Sequence, residues 1–270
     1  MYPDLVDILG LLEDIAPSCL AESWDNTGFQ AGNLSAKIYK ILISLDPTLK
    51  AVQAASLKKA QLLFSHHPLI FSPISSLDTS IYPGNVIRAA IQNDIGVVAA
   101  HTNLDAACGG INDILAKLFH LKDIAPLKPH KSDRNAGIGR IGKTALPLKL
   151  TDLAEYAKEG LGTDRLRIVH PTDKTIQRVA VVGGSGGSLI CTAYEKGADV
   201  IITGDIGHHH ALEAKSYGIT VIDAGHFGTE KPAFMIFAQT FKKIIADLGW
   251  ETAVELFEDE DDPITYSVEV

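Results

Sequence analysis

The stretch Leu62-Leu63-Phe64-Ser65-His66-His67-Pro68 decides how this chain folds: a short apolar run that ends in two imidazoles and a proline. Runs of this length, apolar and bounded by polar or turn residues, read as buried strands. The pattern recurs three times. Val97-Val98-Ala99-Ala100 leads to His101-Thr102-Asn103-Leu104-Asp105, and Val200-Ile201-Ile202-Thr203 leads to Gly204-Asp205 and His208-His209-His210. Ile219-Thr220-Val221-Ile222 leads to Asp223-Ala224-Gly225-His226, with Glu230 four residues on. In an open α/β sheet, ligands bind outside the carboxyl ends of the strands. Imidazoles and carboxylates at several such ends converge although they are far apart in sequence.

Around these runs the chain alternates. Apolar positions over Leu5 to Ile15 repeat at helical spacing until Pro17. A strand is expected over Ile38 to Leu45, a helix over Pro47 to Lys58, and then the strand ending at His66. A helix over Asn85 to Gln92, a strand over Gly96 to Ala100 and a helix over Gly109 to Leu118 follow. Such alternation predicts a largely parallel sheet with helices on its faces. Lys122 to Arg140, rich in Pro, Lys, Asp and Gly, reads as a linker into a second unit. That unit is expected to hold a helix over Thr151 to Glu159 with Thr151 as its N-cap, a strand over Arg178 to Val182, and a helix after Gly187. Next come a strand over Val200 to Thr203, a helix over His208 to Tyr217, a last strand over Thr220 to Ile222, and a long helix from about Thr229 to Leu248. The acidic run Glu258 to Asp262 reads as a solvated turn. The two halves share a loose order of elements.

Composition narrows the function. A length of 270 residues suits one large domain or two of ordinary size, and 46% hydrophobic against 21% charged residues suffices for a substantial core. A net charge of −9 argues against direct nucleic-acid binding, which needs a basic face. A small anionic ligand is still compatible, because a bound dication supplies positive charge. The 3 cysteines form no CxxC pair, so neither a disulfide framework nor a thiolate zinc site is expected. The first residues carry no signal-peptide pattern, and no apolar stretch reaches the ~20 residues of a membrane span. A soluble, cytoplasmic protein is expected.

Adjacent residues on a strand point to opposite faces, but at a strand's end, with Pro68 turning the chain, His66 and His67 can face one cleft. Asp105 reads as a ligand or as a simple loop or cap residue. His226 and Glu230 share one helical face if a helix begins near 226; alternatively, Glu230 is merely favoured by the helix dipole. Three imidazoles and two carboxylates exceed what a single catalytic zinc takes. They suit a pair of metals roughly 3.5–4 Å apart, and mixed N and O donors fit Zn, Fe, Mn, Co or Ni. His101 and His208 to His210 are the next candidates. Three consecutive helical residues cannot all face one point, so that run supplies at most one or two groups behind the metals or in proton transfer. The run Val181 to Ser188, between a strand and a helix, reads as a phosphate cradle or as a tight turn.

Ser65-His66-His67-Pro68-Leu69-Ile70, the run His101 to Ala107 with Gly109-Gly110-Ile111-Asn112-Asp113, and Asp223-Ala224-Gly225-His226-Phe227 with Glu230 resemble the signature blocks of one family. It is the GTP cyclohydrolase I type 2 family, also called the NIF-three-like family. Ser23-Trp24-Asp25-Asn26-Thr27-Gly28 and Ile202-Thr203-Gly204-Asp205 match further blocks, and the resemblance runs from about residue 5 to residue 265. It implies a dinuclear site of two divalent metals with ligands His66, His67, Asp105, His226 and Glu230. It implies two similar α/β domains with mixed, largely parallel sheets: 1–125 with 225–270, carrying most ligands, and 126–224. It also implies a toroidal homohexamer with the metal sites facing inward. Cys108 stands where relatives often carry proline, as a thiol near the metals or as a small buried hydrophobe. The implied chemistry is hydrolytic: water attacks C8 of the guanine ring of GTP and formate is released. His101 and Glu230 are then the catalytic groups, with Glu230 or Asp105 bridging the metals and His101 or a histidine of the 208–210 run shuttling protons. Two other readings use the same metals: a phosphoester or nucleotide hydrolase with another phosphate-bearing substrate, and a non-enzymatic metal-handling or adaptor protein.

Overall fold

The computed structural model describes residues 1–264, so the end of the expected 225–270 segment lies outside the described residues. The chain forms two compact units, Met1–Leu104 together with the chain from Phe237 onward, and Asp105–Ile236. The sequence reading places the divisions at 125 and 224. Both divisions fall instead inside helices, and Asp105, His226 and Glu230 belong to the second unit.

The first unit opens with α1 (Leu5–Ile15), β1 (Gly28–Ala31), β2 (Lys40–Ser44), α2 (Leu49–Leu57), β3 (Leu62–Ser65), α3 (Gly84–Gln92) and β4 (Gly96–Ala99). Strands β2, β3 and β4 run parallel, with Ser44 beside Ser65 and Ser65 beside Ala99. Their carboxyl ends are therefore level, about 4.8 Å apart from strand to strand. All four residues of β3 and of β4 are buried, as expected of parallel strands covered on both faces. On one face, Val52 and Ala55 of α2 and Val86, Ile87 and Ala90 of α3 cluster with Leu42, Leu63 and Val97. β1 adds antiparallel to β4.

The short helix α4 (Thr102–Ala106) contains the first division. Then come α5 (Ile111–Leu118), β5 (Lys122–Pro129), β6 (Gly137–Leu148), α6 (Leu150–Leu161), β7 (Arg167–Val169), β8 (Ile176–Ser185), α7 (Ile190–Glu195), β9 (Val200–Gly204), α8 (His208–Tyr217) and β10 (Thr220–Asp223). Their sheet has the order β5-β6-β8-β9-β10-β7, parallel through β8, β9 and β10 and antiparallel at both edges. The expected linker is thus β5 and the start of β6. β5 is an edge strand, where prolines 126 and 129 and exposed lysines are tolerated, so its composition imitates a linker. Thr151 is not the N-cap of α6; that position is Lys149.

The chain returns through α9 (His226–Asp247) to β11 (Ala253–Leu256), which pairs in parallel with β2 and completes the order β1-β4-β3-β2-β11. The strand over Thr220–Asp223 is therefore not the last. Phe237 and Phe241 set their rings on Phe64 of the first unit, with centroids 6.3 and 5.3 Å away. Both sheets are mixed, as the family resemblance implies. Among the described residues no helix is long and apolar enough to cross a membrane.

Candidate metal centre

In the first unit, the histidine pair follows β3 directly. The N–H groups of His66 and His67 both donate to the Leu45 carbonyl, at 3.1 and 3.0 Å, and Ser65 Oγ donates to the His67 carbonyl at 2.7 Å. These bonds turn the chain at the strand end, so the two rings need not alternate across the sheet. His101 follows β4. The centroids of His66, His67 and His101 form a near-equilateral triangle, 5.1, 5.3 and 5.4 Å on a side. Each ring offers a ligand atom, and the three atoms lie within 4.8 Å of one another.

Every one of these rings is held from behind. Nδ1 of His66 donates to the Ala100 carbonyl at 2.8 Å, that of His67 to Asp46 at 2.7 Å, and that of His101 to Asp25 at 2.8 Å. A neutral imidazole that donates from Nδ1 carries its lone pair on Nε2, the arrangement typical of metal-ligating histidine. Asp25 also accepts from the Thr102 N–H at 3.0 Å and from the Thr102 hydroxyl. Burial works to raise the Asp25 carboxyl. Its bond to His101, that ring's charge and the Thr102 bonds outweigh burial and hold it at about 2. Nearby, partial burial and then the charge of Asp46 push the Tyr82 phenol up.

In the second unit, His226 is the first residue of α9. Its Nδ1 donates to Asp205 Oδ2 at 2.7 Å, and its Nε2 lies 3.1 Å from Glu230 Oε2, one helical turn on. Asp205 sits at φ 57°, a left-handed conformation at the end of β9 that aims its carboxylate at the ring. Glu230 is buried. Gly184, at φ +63°, leaves it room, since a Cβ there would collide with Glu230 Oε1. Asp105 is buried too, and Asn112 ties its segment down: Nδ2 donates to the Asp105 carbonyl at 3.1 Å and Oδ1 accepts from the Gly183 N–H at 2.9 Å. Arg140, 1% exposed, donates to the carbonyls of Ala106 and Ala107 at 3.3 and 3.1 Å and pairs with Asp113. That guanidinium binds the segment after Asp105 to β6, which is why it belongs with the second unit.

The other candidates fall elsewhere. Gly183 and Gly184 lie within β8, and their N–H groups are spent on Asn112 and on Thr229 Oγ1, so neither is available to a phosphate. His208 and His209 are exposed, whereas His210 lies against Gly187, where a Cβ would meet its ring. Asp223 organises the turn before His226 by accepting from the Ile206 and Gly225 N–H groups at 3.1 and 3.0 Å. Cys108 is exposed, not a buried hydrophobe, with Sγ 3.4 Å from the Asn135 carbonyl. Sequence reasoning missed Asp46 and gave no role to Asp25, Asp205 or Arg140. The signal for Asp46 was present: it follows β2 at the same strand end that delivers the histidines after β3 and β4.

Imidazoles oriented through Nδ1, so that Nε2 is the atom left for a ligand, together with buried carboxylates, fit a divalent transition metal. Fold and donor set together define a mixed α/β protein with histidine and glutamate groups placed to bind a metal ion. The chain matches the Duf34/NIF3 (NGG1p interacting factor 3) family model over residues 3–263, and it belongs to that family. It is similar to two proteins named GTP cyclohydrolase 1 type 2 homolog. That of Clostridium perfringens is 35% identical over 239 residues, covering 88% of this chain and 91% of the relative. That of Clostridium acetobutylicum is 33% identical, covering 96% and 97%. Among solved structures, a Staphylococcus aureus hypothetical protein superposes with a TM-score of 0.91 at 31% identity, covering 98% of this chain and 99% of the other. A Bacillus cereus protein related to NIF3 shares the fold, with a TM-score of 0.93 at 24% identity, covering 99% and 100%.

Proposed function

We propose that this chain is a metal-dependent hydrolase that holds two divalent ions through His66, His67, Asp105, His226 and Glu230, with GTP as substrate. The observation that carries the reading is the acceptor behind each histidine ligand: Ala100, Asp46 and Asp205 take the Nδ1 protons of His66, His67 and His226. The names of the relatives support GTP, and the net charge of −9 makes positive charge at the site a requirement for any triphosphate. Bound divalent metal supplies a water of lowered pKa and an electrophile for the acceptor oxygen or nitrogen. The histidines orient, and the buried carboxylates of Asp105 and Glu230 complete the donor set. His101 passes a proton through Nε2 while Asp25 holds its Nδ1 and stabilises the charged ring. Water adds at C8 of guanine and the C8–N9 bond breaks, opening the ring to a formamide; a second water hydrolyses the C8–N7 bond, so that C8 leaves as formate and N7 as an amine. A cytoplasmic homohexamer is part of the proposal.

Metal analysis of the purified protein is expected to give close to two ions per chain, of Zn, Fe, Mn, Co or Ni. Asp105→Asn should lose at least one while keeping the native circular dichroism spectrum; unchanged content removes Asp105 from the ligand set. Metal-loaded protein given GTP should release formate, with Glu230→Gln as the control. A signal no higher than that control removes GTP as substrate. Native mass is expected at six chains.

A further inference from the structure

Two of the most exposed large aromatic side chains in the first unit stand beside His101. Trp24 is 56% and Phe71 54% exposed. Their ring centroids lie 6.0 and 6.4 Å from His101 and 5.6 Å from each other, with the Trp24 and Phe71 planes inclined by 43°. Leaving rings of this size in water forgoes hydrophobic stabilisation, so packing within the unit does not account for them.

The loops that carry them are tied to each other and to the candidate centre. Asn26 Nδ2 donates to the Ile70 carbonyl at 2.5 Å. Gln30 accepts from the Ile70 N–H at 3.0 Å and donates to the Asn26 carbonyl at 2.7 Å. Asp25, between Trp24 and Asn26, is the carboxylate behind His101. An inclined pair of held aromatic faces offers one ring for stacking and a second for an edge contact. Such a pair carries no charge, and its single donor is the Trp24 indole N–H, so it offers a phosphate little, whereas any flat heterocycle presents a matching π-face.

We propose that Trp24 and Phe71 form the stacking subsite for a planar nitrogen heterocycle in the substrate and set that ring beside His101. The substrate class is therefore a heteroaromatic, base-bearing compound and not an aliphatic phosphoester. The inference rests on the hydrolase reading in taking the surroundings of His101 as the place of reaction.

The chain has 2 tryptophans, so Trp250→Phe leaves Trp24 as its single indole emitter. With that protein loaded with zinc, Trp24 emission is titrated with guanosine, adenosine and nicotinamide riboside. Inorganic tripolyphosphate and ribose 5-phosphate form the ring-free arm. Saturable quenching by at least one heterocycle and none by the ring-free ligands is expected. Phe71→Ala should weaken that binding by about tenfold, the order of one lost base–aromatic stack, with zinc content unchanged. Absence of quenching by every heterocycle, equal quenching by the ring-free ligands, or an unaltered Phe71→Ala isotherm overturns the proposal. So does a drop in native mass in Phe71→Ala, which would assign the pair to a contact between copies. Formate release is read separately: release from GTP with Trp24 unquenched sinks the subsite alone, and quenching without release sinks the reaction alone.

Discussion

His66, His67 and His101 come from two strand ends in the first unit, whereas His208, His209 and His210 are consecutive on α8. Ring proximity does not separate the two groups: His208 and His209 lie 5.8 Å apart, against 5.1–5.4 Å in the first group. What separates them is what stands behind the rings. Each histidine of the first group donates Nδ1 to a protein acceptor. Among the described residues, no such acceptor backs a ring of the second group. Successive helical residues are turned by about 100° from one another, so three in a row cannot converge. Level ends of parallel neighbours converge by construction. A dense run of histidines in the sequence is thus weaker grounds for a metal site than a sparse set spread over neighbouring strand ends.

Removing the acceptors behind the rings is expected to have the largest effect. Asp46→Ala and Asp205→Ala should each weaken metal binding by about 10–100-fold in chelator competition, since outer partners orient the ligating ring. Wild-type affinity in Asp46→Ala would show that the acceptor behind His67 is not what distinguishes the groups, and in Asp205→Ala that His226 does not depend on its own acceptor. Next is Asp25, whose carboxyl is held at about 2 against an ordinary 3.8. A depressed carboxyl stabilises the folded chain fully above its unfolded value, and the contribution is lost as the pH falls through about 2. The shift corresponds to about 2 kcal/mol. In the metal-free protein, Asp25→Asn should lower the urea-unfolding free energy by that amount at pH 6 and by progressively less from pH 4 down to 2. A difference that stays flat across that range would break the link to the His101–Asp25 pair. Gly187→Ala pushes a methyl group into the His210 ring and should cost about 1 kcal/mol in the same assay, with metal content unchanged. Smallest of all, His208→Ala and His209→Ala should shift stability by less than about 0.5 kcal/mol, as exposed positions do. Loss of a metal ion in either variant would return that run to the centre.

The parts of the fold legible in the sequence are those that bury a continuous apolar run. β3, β4 and β9 are marked by their residues alone, and α8 has the expected bounds. β1, β5, β7 and β11 were not legible, because they lie at sheet edges where exposure removes the apolar pattern. The division into units was misplaced because Arg140, 1% exposed, ties α4 and its following turn to β6, a bond that no local pattern announces. At the site, strand ends and the i,i+4 spacing pointed to His66, His67, His226 and Glu230. The carboxylates behind the rings were hidden by distance: Asp46 is 21 residues from His67, Asp25 is 76 from His101, and Asp205 is 21 from His226.

The sequence by itself determined that apolar strands would end in imidazoles and carboxylates and that His226 and Glu230 stand four residues apart; that α9 begins at His226, and so puts both on one helical face, was decided by the structure. Tertiary structure alone decided which nitrogen each ring presents and which aspartates hold it there. The reason is physical. Residue type and spacing set local conformation, but a tautomer is chosen by the acceptor opposite Nδ1, and the register between neighbouring strands brings that acceptor into place.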